Sequence, residues 1–225
     1  PYELSIAQIQ SQLTLHELTL GLINVPAGDL MQGGNGLAGV PGKEIEFHHA
    51  LELAIRYATA LNVPRVNILA GKQPVDADLL PCLNTLAENL KLACSMLTQH
   101  HIQPVFEMIN GTDMPRFLVQ NIAQAQEILE AVKHPALKMQ YDCYHMAMMG
   151  EDVLSALQEN IQDIGHIQFA DNPGRHEPGS GELDYAAIFK WLQQSAYSGY
   201  VAAEYRPSLT SIQSFAWKDK YFASP

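Results

Sequence analysis

Four polar side chains lie near the carboxyl ends of four apolar segments, each where a hydrophobic run gives way to a loop. They are three carboxylates and one amide, namely Glu107 in PVFEMIN, Asp142 in KMQYDCYH, Gln168 in HIQFAD and Glu204 in AAEYRP. All four offer hard oxygen donors and none is a thiolate, which favours Mg²⁺ or Mn²⁺ over zinc. Because a buried carboxylate is costly unless it is paired or binds a metal, the set predicts a divalent metal site.

The convergence of these side chains depends on a parallel arrangement of the segments that carry them. In a parallel barrel the carboxyl ends of the strands meet on one face, where the loops between strands and helices form the site. The alternative is that each residue is exposed at a loop entrance and binds nothing. A single residue would favour this alternative, but four at matching depth on four successive strands favour a shared site.

The rest of the chain alternates between apolar strand-like runs and amphipathic stretches, which is typical of a parallel α/β protein. Strands are predicted at 17–25, 65–71, 102–110, 137–145, 164–170 and 199–207, and helices at 5–13, 44–61, 79–97, 117–132, 151–163 and 184–195. The second helix shows the i, i+3, i+4, i+7 spacing of an apolar face, at Leu51, Ala54, Ile55, Ala58 and Leu61. No internal repeat or linker separates these units, so residues 1–225 are predicted to form a single domain.

Two architectures fit six strands that alternate with helices. A doubly wound open sheet is satisfied with six strands, but its dinucleotide-binding form carries a GxGxxG motif after the first strand. Here the glycine-rich GGNG (33–36) lies within a loop and opens no helix, so it is a weak signal. A closed (β/α)₈ barrel needs eight strands and typically about 250 residues. The polar residues at the strand ends favour the barrel.

Composition excludes several classes of partner. The formal net charge of −11 argues against a nucleic-acid partner, which would require a basic face. No apolar run approaches the roughly 18 to 20 residues of a membrane span, so we expect no membrane association. The three cysteines are odd in number and widely spaced, which predicts a reducing cytoplasm. The sequence leaves a homo-oligomer open.

The segments VFEMIN, MQYDCYHM, GHIQFADNPGRHEPGSGELDY and AAEYRP together resemble the hydroxypyruvate isomerase family of the xylose isomerase-like TIM barrels. LINVPAGD (22–29) and GVPGKEIEF (39–47) resemble its early segments, so the similarity runs along essentially the whole chain. The resemblance implies a (β/α)₈ TIM barrel whose first β-α-β portion is missing from this chain, because PYELS resembles the loop that leaves the second strand. The single domain at 1–225 is then expected to be N-terminally incomplete, with the third to eighth strands visible.

The resemblance also implies roles for individual residues. The metal ligands of the family match Glu107, Asp142, Gln168 and Glu204, and its two catalytic glutamates match Glu107 and Glu204. Related sugar epimerases usually have histidine at the position of Gln168, so glutamine here favours the hydroxypyruvate branch. His145 resembles a histidine that contacts substrate, and Arg175 resembles an arginine that holds a substrate oxygen.

The implied reaction is the reversible isomerisation of hydroxypyruvate to 2-hydroxy-3-oxopropanoate, or tartronate semialdehyde. It requires a base, an acid and stabilisation of a cis-enediolate, which two glutamates and a divalent metal would supply. The carboxylate of this small anionic substrate needs a positive partner. Arg175 is able to bind it bidentately. Lys72 and His176 are weaker candidates. Lys72 also fits a solvated loop lysine, and His176 also fits a histidine that braces the loop.

Two other functions remain open. One is an isomerase or epimerase of another small sugar or 2-oxo sugar acid, such as 2-oxo-tetronate, that uses the same metal site. The other is a non-catalytic protein that binds a metal or a sugar acid. The two intact glutamates argue against this last function, because a binding protein needs metal ligands but has no use for a second carboxylate that transfers protons.

Overall fold

The computed structural model describes residues 1–222 and contains six parallel strands in one sheet. They are β1 (Ile23–Asn24), β2 (Arg65–Ile68), β3 (Gln103–Glu107), β4 (Lys138–Asp142), β5 (Ile164–Phe169) and β6 (Val201–Ala203). Each strand pairs in parallel with the next one along the chain, so the order in the sheet is the order in the sequence. This order is typical of a sheet that curls continuously in one direction, as in a barrel.

The helices lie between the strands and cover the outside of the sheet. They are α1 (Ile6–Leu15), α2 (Glu44–Ala60), α3 (Leu79–Thr98), α4 (Ile122–Val132), α5 (Cys143–Met148), α6 (Val153–Asn160), α7 (Tyr185–Gln194), α8 (Ser211–Ser214) and α9 (Trp217–Phe222). Single turns of 3₁₀ helix occur at Leu30–Gln32 and Ile161–Asp163. Within residues 1–222 no helix is long and apolar enough to cross a membrane.

The core lies between the outer helices and the sheet. The apolar face predicted for the second helix is buried in α2, where Leu51, Ala54 and Ala58 are fully inaccessible to solvent. β2 to β5 are buried on almost every residue, which explains why their sequences are nearly continuous apolar runs. Such burial fixes the strands rigidly, so side chains at their carboxyl ends are held by a stable scaffold.

Several predicted boundaries were wrong, and two have clear local reasons. The predicted strand 137–145 ends at Asp142, because the Asp142 carboxylate accepts a hydrogen bond from the Tyr144 backbone N–H at 2.8 Å and begins α5. His145 is therefore helical. The predicted helix 117–132 begins at Ile122, because Asn121 caps it through the Gln124 N–H.

A further difference concerns the two outer strands. β1 and β6 span two and three residues, whereas strands were predicted at 17–25 and 199–207. Each pairs with a single neighbour in the described part of the chain, so the apolar sequence around it lacks the second ladder of hydrogen bonds that would extend it. α8 and α9, which follow β6, were not predicted.

The last helices hold the end of the sheet in place. Trp217 of α9 packs edge-on against Phe169 of β5 at 5.3 Å between ring centroids and stacks on Phe189 of α7 at 5.9 Å. The fold is that of a partial TIM barrel, with six parallel strands in a curled half-barrel, as the sequence predicted.

Candidate metal and substrate site

Two buried carboxylates and a histidine form a compact cluster at the carboxyl ends of β3 and β4. Glu107 is 6% exposed, Asp142 is fully buried and His145 is 2% exposed. One potential ligand atom from each lies within 4.8 Å of the others, and His145 Nε2 is 3.7 Å from Asp142 Oδ2. Such spacing allows all three residues to contact one small cation.

The strand register explains why these side chains meet. Glu107 pairs with Gln140 across β3 and β4, and Asp142 pairs with Gln168 across β4 and β5. Because side chains two residues apart on a strand share a face, Glu107, Asp142 and Gln168 project from the same side of the sheet. His145 joins them because α5 begins immediately after Asp142, and residues three apart on a helix lie on one face.

Amide side chains support the cluster from the strands beside it. Asn67 of β2 donates a hydrogen bond from Nδ2 to Glu107 Oε2 at 3.0 Å and also contacts Asn24 Oδ1 at 3.1 Å. Gln140 donates to the amide oxygen of Gln168. Asn110 lies 2.7 Å from His145 Nδ1, which leaves His145 Nε2 directed towards Asp142.

Glu204 occupies a different environment from the other carboxylates. It follows β6 directly, and its side chain is 50% exposed. Its Oε2 accepts a hydrogen bond from Arg175 Nη2 at 3.0 Å, and the same Arg175 nitrogen is 3.6 Å from Asp142 Oδ2. The Arg175 guanidinium therefore bridges the buried cluster and the exposed glutamate.

Burial controls the protonation of the cluster. Burial, and then the negative charges of Asp142 and Glu204, raise the pKa of Glu107 to about 8. Burial and Glu204 raise the pKa of Asp142 to about 7, against the opposing effect of Arg175. Burial, together with Arg175, lowers the pKa of His145 to about 4, so its imidazole is neutral at pH 7 and able to bind a metal.

The residues present fit a divalent cation. Asp142 Oδ2 is buried without a hydrogen-bond donor in the described part of the chain, although Arg175 Nη2 and His145 Nε2 lie 3.6 Å and 3.7 Å away. A buried oxygen of this kind is costly, and a cation among the three carboxylates and His145 would satisfy it. The described residues thus contain a group able to hold a divalent metal. Gln168 lies beside Asp142, with its amide oxygen accepting from Gln140, and its role as a ligand stays a prediction.

A cavity of about 480 Å³ opens in front of the cluster. Its lining includes both charged and apolar side chains; the lining residues are Asn24, Met31, Leu69, Glu107, Ile109, Asp113, Met114, Tyr144, His145, Gly174, Arg175, Glu204 and Arg206. The Arg175 guanidinium lies over the Tyr144 ring, 5.0 Å from its centroid. The cavity is large enough for a small sugar acid.

The loop 171–182 is held in one shape from beneath. The fully buried Asp171 carboxylate accepts hydrogen bonds from the backbone N–H groups of Asn172 at 2.9 Å, Gly179 at 2.7 Å and Leu183 at 3.1 Å. Arg175 has a left-handed backbone, with φ of 56°, which turns the chain tightly at the cavity wall. Asp171 is thus the buried anchor of this loop.

Two predicted substrate residues have other contacts. Lys72 Nζ donates to the Gly33 carbonyl at 3.0 Å, and the described residues that line the cavity do not include Lys72. His176 Nδ1 lies 2.7 Å from the Arg206 carbonyl oxygen, and His176 is likewise outside that lining. Both assignments stay predictions, and these contacts favour a bracing role for each.

Several residues of the site were missed in the sequence. Asn67 and Asn24 come from the first two strands, Asp113 follows Glu107 by six residues, and Arg206 follows Glu204 by two. Arg206 could have been predicted from the sequence, because residues two apart on an extended chain share a face and Glu204 was already a candidate. Asn67 gave no such signal, because its partner Glu107 is 40 residues away.

Comparison with known proteins agrees with the geometry. The family described as "Xylose isomerase-like TIM barrel" matches residues 1–221. The chain is 39% identical to hydroxypyruvate isomerase of Escherichia coli (strain K12), with 98% of this chain and 86% of that protein covered. It is 36% identical to 2-oxo-tetronate isomerase of Cupriavidus necator, with 98% and 85% covered.

Solved structures give the same fold. A crystal structure of an AP endonuclease, family 2, from Brucella melitensis superposes with a TM-score of 0.93 at 32% identity, covering 98% of this chain and 85% of that one. The 3-keto-D-glucoside 4-epimerase of E. coli superposes with a TM-score of 0.80 at 20% identity, covering 96% and 84%, and supports the fold alone. On its fold, its site geometry and these similarities, the chain belongs to the xylose isomerase-like TIM barrel family.

Proposed function

We propose that this protein is a hydroxypyruvate isomerase that uses Mg²⁺ or Mn²⁺ and interconverts hydroxypyruvate and 2-hydroxy-3-oxopropanoate. The observation that carries the proposal is the pair of glutamates on one cavity, Glu107 buried and Glu204 half exposed, with Arg175 between them. The 39% identity to the E. coli hydroxypyruvate isomerase over 98% of the chain supports the same substrate.

The reaction moves one proton between two neighbouring carbon atoms of the substrate. A base removes a proton from C3 of hydroxypyruvate, which gives an enediolate, and an acid then delivers a proton to C2. The hydroxyl proton moves from the C3 oxygen to the C2 oxygen, so the product is an isomer with no net gain or loss of atoms. A positioned carboxylate contributes about 10² to 10⁴ in rate to such a transfer.

The two glutamates differ in the hydrogen bonds that their carboxylate oxygens accept. Glu107 Oε2 accepts a hydrogen bond from Asn67, so this oxygen is committed to the protein scaffold. Glu204 lines the cavity and accepts a hydrogen bond from Arg175 through Oε2, and within residues 1–222 its Oε1 accepts none. We therefore assign Glu204 to the first proton abstraction and Glu107 to the delivery of a proton to C2.

We propose that Glu107, Asp142, Gln168 and Glu204 hold the metal and that His145 lies within reach of it. When bound, a divalent cation supplies electrophilic stabilisation of the negative charge that develops on the substrate oxygens. Three carboxylates and an amide oxygen form the hard donor set that Mg²⁺ or Mn²⁺ prefers. The neutral imidazole of His145 is then also available to contact a substrate oxygen.

A second candidate is the isomerisation of 2-oxo-tetronate, a four-carbon acid. The cavity of about 480 Å³ has room beyond a three-carbon substrate, and its apolar lining residues are Met31, Leu69, Ile109 and Met114. The 36% identity to the C. necator 2-oxo-tetronate isomerase is close to that for the first candidate. The proton chemistry would be the same, because both substrates carry a carbonyl beside a carbon that bears a hydroxyl group.

The test is a substrate panel with the Mg²⁺- and Mn²⁺-loaded protein. We expect hydroxypyruvate to give the highest kcat/KM, measured beside 2-oxo-tetronate and neutral ketoses. A clear preference for the four-carbon acid would replace the first candidate with the second. Binding of metal and acid without turnover of any panel member would instead indicate a non-catalytic binding protein.

We also propose a cytoplasmic location for the protein. Cys82, Cys94 and Cys143 are all free thiols and all buried. Free cysteines of this kind suit a reducing compartment, because an oxidising one favours disulfide pairs.

A further inference from the structure

We infer that Arg206 binds the carboxylate of the substrate and that His176 positions Arg206 for this role. The inference rests on the proposed function, in which the substrate is a small 2-oxo acid. The inference assigns different roles to the two arginines of the cavity, according to the contacts that each already makes. Arg175 pairs with carboxylates of the protein, whereas the Arg206 side chain is available to bind the carboxylate of the ligand.

Arg175 is committed to partners within the protein. Its Nη2 donates to Glu204 Oε2 at 3.0 Å and lies 3.6 Å from Asp142 Oδ2, while its guanidinium covers the Tyr144 ring. Its side chain is only 23% exposed. The charge of Arg175 therefore offsets carboxylates that are already present, and little of it remains for an anion that arrives from solvent.

Arg206 lines the same cavity without such commitments. Within residues 1–222 its side chain forms no salt bridge and no hydrogen bond, and the residue is exposed. An arginine fork binds a carboxylate bidentately, with two parallel N–H···O hydrogen bonds. The chain carries a net charge of −11, so an anionic substrate requires a local cation of this kind.

The backbone of Arg206 is held at both ends although its side chain is free. Its N–H donates to the Arg175 carbonyl at 2.8 Å, and its own carbonyl lies 2.7 Å from His176 Nδ1. Because a carbonyl oxygen is only an acceptor, His176 must carry its proton on Nδ1 to form this hydrogen bond. The loop 171–182 thus fixes the place from which the Arg206 side chain enters the cavity.

The residues on either side of Arg206 add to this support. The Tyr205 hydroxyl lies 3.2 Å from the Ser214 carbonyl and accepts a hydrogen bond from Trp217 Nε1 at 3.1 Å. The Ser208 N–H donates to Glu177 Oε2 at 3.0 Å. An exposed arginine on a fixed backbone loses only side-chain entropy when it binds, which favours its use as an anchor.

The first experiment compares Arg206→Gln with the wild type in the metal-loaded protein. We expect KM for hydroxypyruvate to rise about 10- to 100-fold, the loss of a charge-assisted pair, while kcat stays within about threefold. Arg206→Lys should recover part of the loss, since it keeps the charge but not the fork. Arg56→Gln, on the outer helix α2, is the matched control and should change neither constant.

A binding measurement makes the test independent of turnover. D-glycerate, a three-carbon acid that is not isomerised through a carbonyl, is titrated calorimetrically into the Mg²⁺-loaded protein. We expect Arg206→Gln to weaken its Kd about 10- to 100-fold and Arg56→Gln to leave it unchanged. Unchanged D-glycerate affinity in Arg206→Gln, or no binding by the wild type, would overturn the role of Arg206. Failure of the proposed function would instead appear as binding of D-glycerate without isomerisation of hydroxypyruvate.

The positioning role of His176 has its own readout. His176→Ala should raise KM about 3- to 10-fold with little change in kcat, since the Arg206 carbonyl loses one hydrogen bond. His176→Asn, which places an amide N–H near the position of Nδ1, should restore most of the KM. A loss of kcat in His176→Ala that His176→Asn does not repair would contradict the assignment.

Discussion

The two halves of the cavity differ in burial, and the difference separates two tasks. The half formed by Glu107, Asp142 and His145 is at most 6% exposed, and its two carboxylates lie on strands with neighbours on both sides. The half formed by Glu204 and Arg206 follows the outer strand β6, and the Glu204 side chain is 50% exposed. We call these the buried half and the open half of the site.

Electrostatic interactions are strong in the buried half, because solvent is excluded there, whereas the open half is accessible to solvent and substrate. In the buried half, desolvation raises the pKa of both carboxylates, so a cation there gains more than it would at the surface. In the open half, solvent screens the charges, and groups are free to contact a substrate that enters and leaves. Metal affinity and substrate affinity should therefore respond to different substitutions.

The largest expected effects come from one glutamate in each half. Glu107→Gln and Glu204→Gln should each lower kcat by about 10² to 10⁴, because each removes a proton-transfer group. Steady-state assays of hydroxypyruvate isomerisation measure the loss, with Glu159→Gln on the outer surface of α6 as the control. Full activity in either variant would refute the role assigned to that glutamate.

The same pair of variants should differ in metal binding. Glu107→Gln should weaken Mn²⁺ affinity more than Glu204→Gln, because the negative charge of Glu107 is buried beside Asp142, whereas solvent screens the half-exposed Glu204 carboxylate. Titration followed by Mn²⁺ paramagnetic resonance gives both affinities. Equal losses would remove the distinction between the buried half and the open half.

The next largest effect tests whether the open half depends on a buried anchor. Asp171→Ala should lower the free energy of unfolding by about 3 kcal/mol, since three backbone N–H groups lose a charged acceptor. Chemical denaturation measures this change, and Asp76→Ala on an exposed loop is the control. A change below about 0.5 kcal/mol, which is usual for surface substitutions, would mean that the loop keeps its shape without Asp171.

The pH dependence of stability should report the carboxyl groups of the buried half above pH 6.5. A carboxyl group whose pKa is raised on folding stabilises the protein below its unfolded pKa, and this contribution is lost as pH rises through the folded pKa. Folded values of about 8 for Glu107 and about 7 for Asp142 place the loss at pH 4 to 8. The lowered pKa values of His145 and His166, both about 4, act in the opposite direction below pH 6.5.

The clear window is therefore pH 6.5 to 8, where the two histidines no longer contribute. There the metal-free protein should lose about 2 kcal/mol of stability as pH rises, and a divalent metal should reverse the trend. Thermal unfolding in EDTA and in Mg²⁺ measures both curves. Glu107→Gln should flatten the EDTA curve, Glu204→Gln should change it less, and a flat wild-type curve would contradict the argument.

The smallest expected effect concerns the amide that supports Glu107. Asn67→Ala should weaken Mn²⁺ affinity about 10-fold, a typical result of removing a residue that orients a metal ligand. The same titration measures it, with Asn62→Ala, at the end of α2, as the control. A wild-type affinity would show that Glu107 keeps its orientation through its other neighbours.

Local pattern in the sequence was enough to predict the class of fold and the place of the carboxylates. Apolar runs that alternate with amphipathic helices predicted parallel strands, and polar residues at the carboxyl ends of those runs predicted a shared site. Both follow from the periods of strands and helices, which depend only on nearby residues. The resemblance to the xylose isomerase-like barrels, drawn from the same segments, is confirmed by the family match over residues 1–221.

The tertiary structure alone decided which groups are buried, paired or free. It placed His145 on a helix beside Asp142, put Asn67 against Glu107, and committed Arg175 to carboxylates while leaving Arg206 open. Except for the contact between His145 and Asp142, these contacts join residues that are 29 to 40 positions distant in the sequence. They depend on the curl and register of the sheet. The sequence determined the chemical groups and the face on which they lie, whereas their charge and availability depend on neighbours that only folding brings together.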